Sequence, residues 1–188
     1  VSVQSDAFAA AGVQLAAALA ASANDPADAI RMLLPLAGWM PPPIGGTGPL
    51  AVNARAAADA IASNLRCAAC AALATASTEY LPASYQDACA VRAVVCGALD
   101  AEATRAGDAG LDATYQALRD LRAAVALDLA VRGANLAWLV EIETRAPMPS
   151  LAEAWTLYAD TPREPGLVGS ADPPHPLFMP TSFPALNQ

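Results

Sequence analysis

The sequence contains no lysine: its ten basic residues are all arginines, spread singly along 188 positions. Against eighteen acids they leave a formal net charge of −8. Holding a phosphate backbone takes clustered cations, often interleaved with aromatics, and no such run exists here. Specific nucleic-acid binding is therefore not expected. Histidine occurs once, at His175 between prolines. A general base must sit in a pocket with a tuned pKa, so structural anchoring is the better reading of this residue. Phosphate loops, nucleophile elbows and metal motifs are missing as well. The chain thus offers no catalytic, cofactor-binding or metal-binding residue, and it is read as a non-enzyme that needs no cofactor. Aromatics make up only 5% of the residues although 55% are hydrophobic.

The difference is largely alanine, 49 residues of the 188. Alanine is the strongest intrinsic helix former, because ordering it costs no side-chain entropy. It also buries little area, so each helix gains modest hydrophobic energy. A helical protein of marginal stability, helped by neighbours, is the expectation. With abundant Gly and Pro, the all-arginine basic set reads as the coding bias of a GC-rich genome. One long uncharged stretch, Ala7 to Asn24, is mostly alanine with Gln14 and Ser22 inside and no cation before it. It reads as a packed amphipathic helix rather than a signal or membrane-spanning segment. The opening Val1 fits a processed product, a trimmed piece or an alternative start codon.

Helical punctuation divides the chain. Ser5-Asp6 is placed to cap a first helix to about Ser22, with Phe8, Val13, Leu15 and Leu19 as its larger apolar groups. Asp25-Pro26 starts a second, to about Trp39, which Pro35 should kink or end. Residues 40–49, with four prolines and three glycines, form an irregular connector. A long helix from about Leu50 to Ser77 carries Ala54, Ala57, Ile61, Leu65, Ala68 and Ala72 at helical spacing. Ser84-x-x-Asp87 resembles a capping box and opens a helix through about Arg105. Its stripe is Ala88, Val91, Val95 and Ala98, with Leu99 beside it, and fades at the polar Glu102. After Gly107-Asp108-Ala109-Gly110 comes a helix from Leu111 to Arg132, striped by Leu111, Tyr115, Leu118, Leu121, Val125 and Leu129, with Gly133 as its stop. Short turns between long helices predict an Ala-rich antiparallel bundle over 1–145, a mainly α fold. Residues 134–144 read either as an extension of that helix or as a strand into Val140-Glu141-Ile142-Glu143. The alternation of apolar and acidic residues favours the strand. Prolines resume from Pro162, and Pro173 to Pro184 is expected to be an extended arm held by its surroundings.

The cysteines are Cys67, Cys70, Cys89 and Cys96. Their mid-helix spacing fits buried thiols at close-packed interfaces. A disulfide is the second reading, with Cys70–Cys96 as its candidate if the helices flanking Leu81-Pro82 form a hairpin; a metal site is the third. The acid pairs Asp25/Asp28 and Glu141/Glu143 read as solvated surface, the first complementing a helix dipole.

The last forty residues carry an ordered pattern: Leu157-Tyr158, Asp160, Arg163, Leu167-Val168 and His175-Pro176-Leu177-Phe178-Met179-Pro180. This resembles the C-terminal signature of the DNA circularisation (circulation) protein family of Mu-like bacteriophages, whose members are tail components near the baseplate hub. Ser84-Tyr85-Gln86-Asp87-Ala88 with Val91-Arg92, and Leu118 to Val125, resemble the helical part of that family. The likeness spans about Ala51 to Pro180. The family's N-terminal domain has no counterpart, which implies a short member, a separate gene product or a fragment. More faintly, residues 146–188 look like half of a LysM module, a helix-loop-helix closed by a strand. The departures are Ala159 for Gly, Ser170-Ala171 for Arg-Asn, and Thr181-Ser182 for the closing Gly-Gly, so docking rather than glycan binding is implied.

What the resemblance implies is a non-enzymatic structural protein of the virion tail, assembled in the host cytoplasm. It would contact tail tube, hub and tape-measure proteins, with no membrane partner, as a homo-oligomer in a three- or six-fold ring. Its docking residues would be Leu157, Tyr158, Arg163, His175, Phe178 and Pro180, in a LysM-like helix and arm over 146–188. The alternative is a secreted or periplasmic helical binding module with a degenerate LysM-like end.

Overall fold

The computed structural model describes residues 3–187 and is mainly α. Its elements are α1 (Val3–Ala21), α2 (Pro26–Ala37), α3 (Pro49–Glu79), α4 (Tyr85–Asp108), α5 (Asp112–Gly133), β1 (Leu139–Glu143), α6 (Ser150–Tyr158), a 3-10 turn (Thr161–Arg163), α7 (Glu164–Ala171) and β2 (Ser182–Leu186). They form two compact units. The first runs to Leu81 and adds Cys89–Val131; the second joins Pro82–Ala88 to the residues from Arg132 onward. The boundary expected at 145 thus lies earlier, because β1 pairs with β2 and belongs to the second unit.

In the first unit, Asp25 caps α2 by accepting the Asp28 N–H at 2.8 Å, with Pro26 in the first turn. Pro35 does not stop α2: the helix passes through it and ends two residues later, where the missing N–H costs only one bond near an end that frays anyway. Helix α1 begins before the expected Ser5-Asp6 cap, leaving Asp6 in its first turn. Helices α3 and α4 are antiparallel, since Arg66 meets Glu102 while Cys70 meets the Ala98 carbonyl further along α3. Helix α5 likewise runs antiparallel to α4, with Arg122 on Asp100 and Gly107 against Tyr115. The core is built from Leu33, Leu73, Leu99 and Leu129 with Ile30, Val95, Val125 and many alanines.

Two expected stripes are displaced. On α3 the buried residues are Ala62, Arg66, Ala68, Ala69, Cys70, Leu73, Ala74, Ala76 and Ser77; of the expected stripe Ala68 is buried, Leu65 and Ala72 are half-buried, and Ala54, Ala57 and Ile61 are exposed. Alanine on every side gives the helical period no contrast, so the stripe is set by its few distinctive members. On α4 the stripe does not fade at Glu102 but runs on through it to Ala103 and Ala106. Helix α1 likewise turns Gly12 and Ala16 inward and leaves Phe8, Val13 and Leu15 exposed. A Cβ on Gly12 would stand 2.4 Å from the Asn64 amide nitrogen. A larger residue there would have to push the Asn64 side chain aside, and glycine at this position leaves the bulky side chains of α1 on the outer face. On α5, Leu118, Val125 and Leu129 are buried, whereas Leu111 and Tyr115 are exposed near its start.

The second unit has the order strand, helix, helix, strand. The alternating run at 139–143 is a strand, paired antiparallel with β2 from Leu139↔Leu186 to Glu143↔Ser182. The extended arm expected to be held by its surroundings is part of a folded core of its own: Met179, Phe183 and Ala185 are buried with Ala154 and Leu167. Its prolines lie where a ladder bond is not needed, so they shape the chain without preventing β2. Ser84 caps α4 by accepting the Asp87 N–H at 3.1 Å, and Asp87 accepts the Ala83 N–H at 2.8 Å, the reciprocal box in a variant register.

Candidate docking site

The second unit carries every residue expected to dock, and it divides them. Helix α6 ends at Ala159, whose φ of 53° is left-handed. The chain there turns back through the 3-10 turn, bringing the Arg163 guanidinium over the Tyr158 ring at 4.1 Å. The Tyr158 hydroxyl accepts the Leu186 N–H at 3.1 Å. Leu157 and Tyr158 pack beside the second core, and Pro180 is half-buried after the fully buried Met179. Leu157, Tyr158, Arg163 and Pro180 are therefore internal fastenings of the unit. The Tyr158 hydroxyl ties β2 to α6, so at these positions the expected docking residues are half-buried within their own unit.

His175 and Phe178 do lie at the surface. The His175 Nδ1 accepts the Leu177 N–H at 3.1 Å, which makes the imidazole a turn-former. Phe178 is 69% exposed. Its loop is stitched to the start of α6 by the Ser150 N–H on the Pro176 carbonyl at 2.7 Å and the Met179 N–H on the Met148 carbonyl at 3.0 Å. Leu177 and Phe178 consequently stand next to the helix that exposes Leu151 and Trp155, one turn apart on the same side. Trp155 is 61% exposed. Neither Leu151 nor Trp155 is among the residues predicted to dock, because an amphipathic turn read alone does not reveal which apolar residues the loop will leave uncovered.

Two buried glutamates also escape a sequence reading. In the first unit Glu102, 1% exposed, receives Arg66 Nε at 2.5 Å and Arg105 Nη1 at 3.1 Å. Arg66 spends a further donor on the Trp39 carbonyl at 3.2 Å, and Ser63 and Cys67 flank the carboxylate. The only sequence sign of this network is an arginine within a buried α3 stripe and a glutamate within a buried α4 stripe. In the second unit Glu153, also 1% exposed, has an Oε1 with no hydrogen-bond partner. Burial raises its pKa, favouring the neutral acid.

All four cysteines are free thiols. Cys70 Sγ lies 3.9 Å from the Ala98 carbonyl on α4, while Cys96 Sγ lies 3.9 Å from the Arg122 carbonyl on α5. The candidate Cys70–Cys96 disulfide is thus not formed, because the two sulfurs address different neighbours. Burial pushes the Cys70 thiol up to about 12 and raises Cys67 and Cys96 as well. Among the described residues, no group of three or more His, Cys, Asp or Glu is arranged to hold a metal ion. No described helix is long and apolar enough to cross a membrane. An open groove of about 560 Å³ in the first unit is lined largely by alanines of α1, α2 and α3 and lacks a catalytic grouping.

No family model matches the chain, and no curated protein matches it.

Proposed function

We propose that this protein is a structural component of a phage tail, near the hub end of the tail tube, where it links tube, tape measure and baseplate hub. The carrying observation is that Leu151, Trp155, Leu177 and Phe178 are all exposed on one small closed unit. Exposed aromatics on a rigid frame are the usual anchors of protein interfaces. Support also comes from the role of the signature residues. Leu157, Tyr158, Arg163, Leu167 and Met179 fasten the second unit, so the pattern that resembles the tail family encodes a folded module. Its helix-loop-helix closed by a strand is what a LysM-like adaptor would need. The many apolar side chains exposed in the first unit, among them Phe8, Leu50, Leu127 and Val131, suit a subunit that works in several copies, as a three- or six-fold ring would.

The same module favours a second reading, a secreted or periplasmic binding protein. Tape-measure and spike genes beside the coding sequence support the first reading; a cell-wall hydrolase operon supports the second. The decisive experiment is Trp155→Ser with Phe178→Ser in the tail-producing strain. Truncation after Pro165 is the wrong tool, because it removes Leu167, Met179 and Phe183 from the second core. Both serines replace exposed side chains, so the double variant should keep its fold by circular dichroism while its occupancy in purified tails falls at least tenfold. Normal occupancy in infectious tails overturns the docking role. Duplex DNA should not be retained at physiological salt in a mobility-shift assay.

A further inference from the structure

The two-stranded sheet has two edges, and they are finished differently. The Thr144 N–H donates to the Thr181 carbonyl and the Asn187 N–H to the Trp138 carbonyl. With the register given above, these bonds fix which residues face the partner strand. Leu139, Glu141 and Glu143 on β1, and Ser182, Pro184 and Leu186 on β2, occupy the alternate positions and direct their peptide groups outward. The β2 edge is closed to strand addition: Pro184 has no N–H, and the Leu186 N–H is taken by the Tyr158 hydroxyl. The β1 edge is closed at one end only. There the Gln86 carboxamide acts as a neighbouring strand would, its Nε2 donating to the Leu139 carbonyl at 3.0 Å and its Oε1 accepting the Leu139 N–H at 2.9 Å. Beyond it, the peptide groups of Glu141 and Glu143 have no hydrogen-bond partner among the described residues.

We propose that the β1 edge at Glu141–Glu143 accepts an extended segment of another protein, bearing arginine or lysine at alternate positions, as a third strand. Main-chain pairing would supply the attraction, and side chains opposite the two glutamates would select the partner. Glu141 and Glu143 lie on the same face of β1, and both are exposed. Glu141 is held over that face by the Ser182 hydroxyl, which donates to its carboxylate. A second copy of this chain is disfavoured as occupant, because two β1 edges meeting across a two-fold axis would set glutamate against glutamate. The chain's own arginines are spread singly and provide no alternating basic segment. A basic strand alone satisfies both the open peptide groups and the charges. This inference rests on the sheet edge and stands or falls independently of the tail assignment.

The test uses the full chain and two synthetic ten-residue peptides that alternate valine with arginine or valine with glutamate. Fluorescence anisotropy should show the arginine peptide binding at least thirtyfold more tightly. On saturation, amide exchange should slow at least tenfold at Glu141 and Glu143 and change little at Val140 and Ile142, whose N–H groups already face β2. Glu141→Pro removes an outward N–H opposite Pro184 without touching a ladder bond, and should weaken binding at least tenfold. The double variant Glu141→Arg with Glu143→Arg keeps every peptide group and should reverse the preference in favour of the glutamate peptide, which keeps the proposal testable if the proline variant fails to fold. No binding of the arginine peptide, binding without protection at Glu141 and Glu143, or an unreversed preference in the double variant overturns the proposal.

Discussion

Each unit of this protein buries a glutamate on a helix, and the two are treated in opposite ways. Glu102 sits between Arg66 and Arg105 with Ser63 near its other oxygen, so its charge is answered on every side. Glu153 points an oxygen at no donor, and burial drives it toward the neutral form. A buried charge that is paired makes the fold depend on a partner; one that is unpaired makes it depend on the proton concentration. The helical unit should therefore be sensitive to mutation at its ion pair, and the smaller unit to pH.

The largest expected effect comes from breaking the pair. Glu102→Ala leaves Arg66, only 6% exposed, buried without its counter-ion. It should destabilise the first unit by about 3–5 kcal/mol in urea unfolding followed by circular dichroism. Replacing both partners, Arg66→Met with Glu102→Leu, should recover most of that loss, since no uncompensated charge remains. A double variant as unstable as the single one would mean that shape, and not charge pairing, governs this part of the core.

Thiol chemistry sharpens the picture of the same core. With its pKa at about 12 against an ordinary 9.0, Cys70 should hold roughly a thousandfold less thiolate than a free thiol at pH 8. Alkylation of native protein at pH 8, read by peptide mass, should leave Cys70 unmodified until denaturant is added. Rapid labelling of Cys70 would show that α3 and α4 part readily.

The second unit is sharpened by titration. The Glu153 carboxyl is held above its ordinary 4.5 in the fold. Between the unfolded and folded values the native state binds more protons than the unfolded state, so stability falls as pH rises through that window and is greatest below it. Glu153→Gln should flatten this component of the pH profile, seen as the difference between wild-type and variant melting curves from pH 4 upward. Glu153→Met should stabilise the unit at pH 7 by about 1–3 kcal/mol, the cost of an unmet buried polar group. A variant profile parallel to the wild type would show that the carboxyl is reached by water.

The smallest effect concerns the left-handed residue that ends α6. Ala159 stands in the left-handed conformation, where a side chain carries a penalty that glycine avoids. Ala159→Gly should raise the stability of the second unit by about 1 kcal/mol, measured by thermal unfolding. A loss of stability would mean that the flexibility of glycine in the unfolded chain outweighs the relief.

Much of the helical scaffold is legible in the sequence because its punctuation is chemical. Asp25-Pro26, Ser84-x-x-Asp87 and the glycines near 107–110 mark boundaries that the structure keeps within a few residues. The faces are not legible. In α3 alanine lies on all sides, so the spacing of Ala54, Ala57 and Ile61 looks like a stripe although Arg66 and Leu73 define the buried one. Arg66 is hidden for a second reason: its partner is thirty-six residues away, and neither residue has a local sign of being buried. The strand at 182–186 is not legible, because Pro180 and Pro184 argue locally for an unpaired segment. Pro184 sits at an outward position, where its missing N–H is no obstacle. Of the residues expected to dock, Leu157, Tyr158, Arg163 and Pro180 are packed within the unit, His175 and Phe178 lie at its surface, and the exposed Trp155 and Leu151 lie just before the motif.

The Gln86 clasp on Leu139, with the Tyr85 ring stacked on Trp138 at 4.1 Å, has a genetic consequence. The smaller unit is encoded in two pieces, Pro82–Ala88 and the stretch after Arg132, with much of the helical unit's code between them. It is not a cassette. A recombination event that exchanged only the 3′ end of the gene would deliver strands and helices without the residues that clasp the first strand. Crossovers that fall upstream of Pro82 would carry the whole unit and both of its clasping side chains. Inheritance of this module by exchange is thereby tied to inheritance of the helices encoded between its two parts.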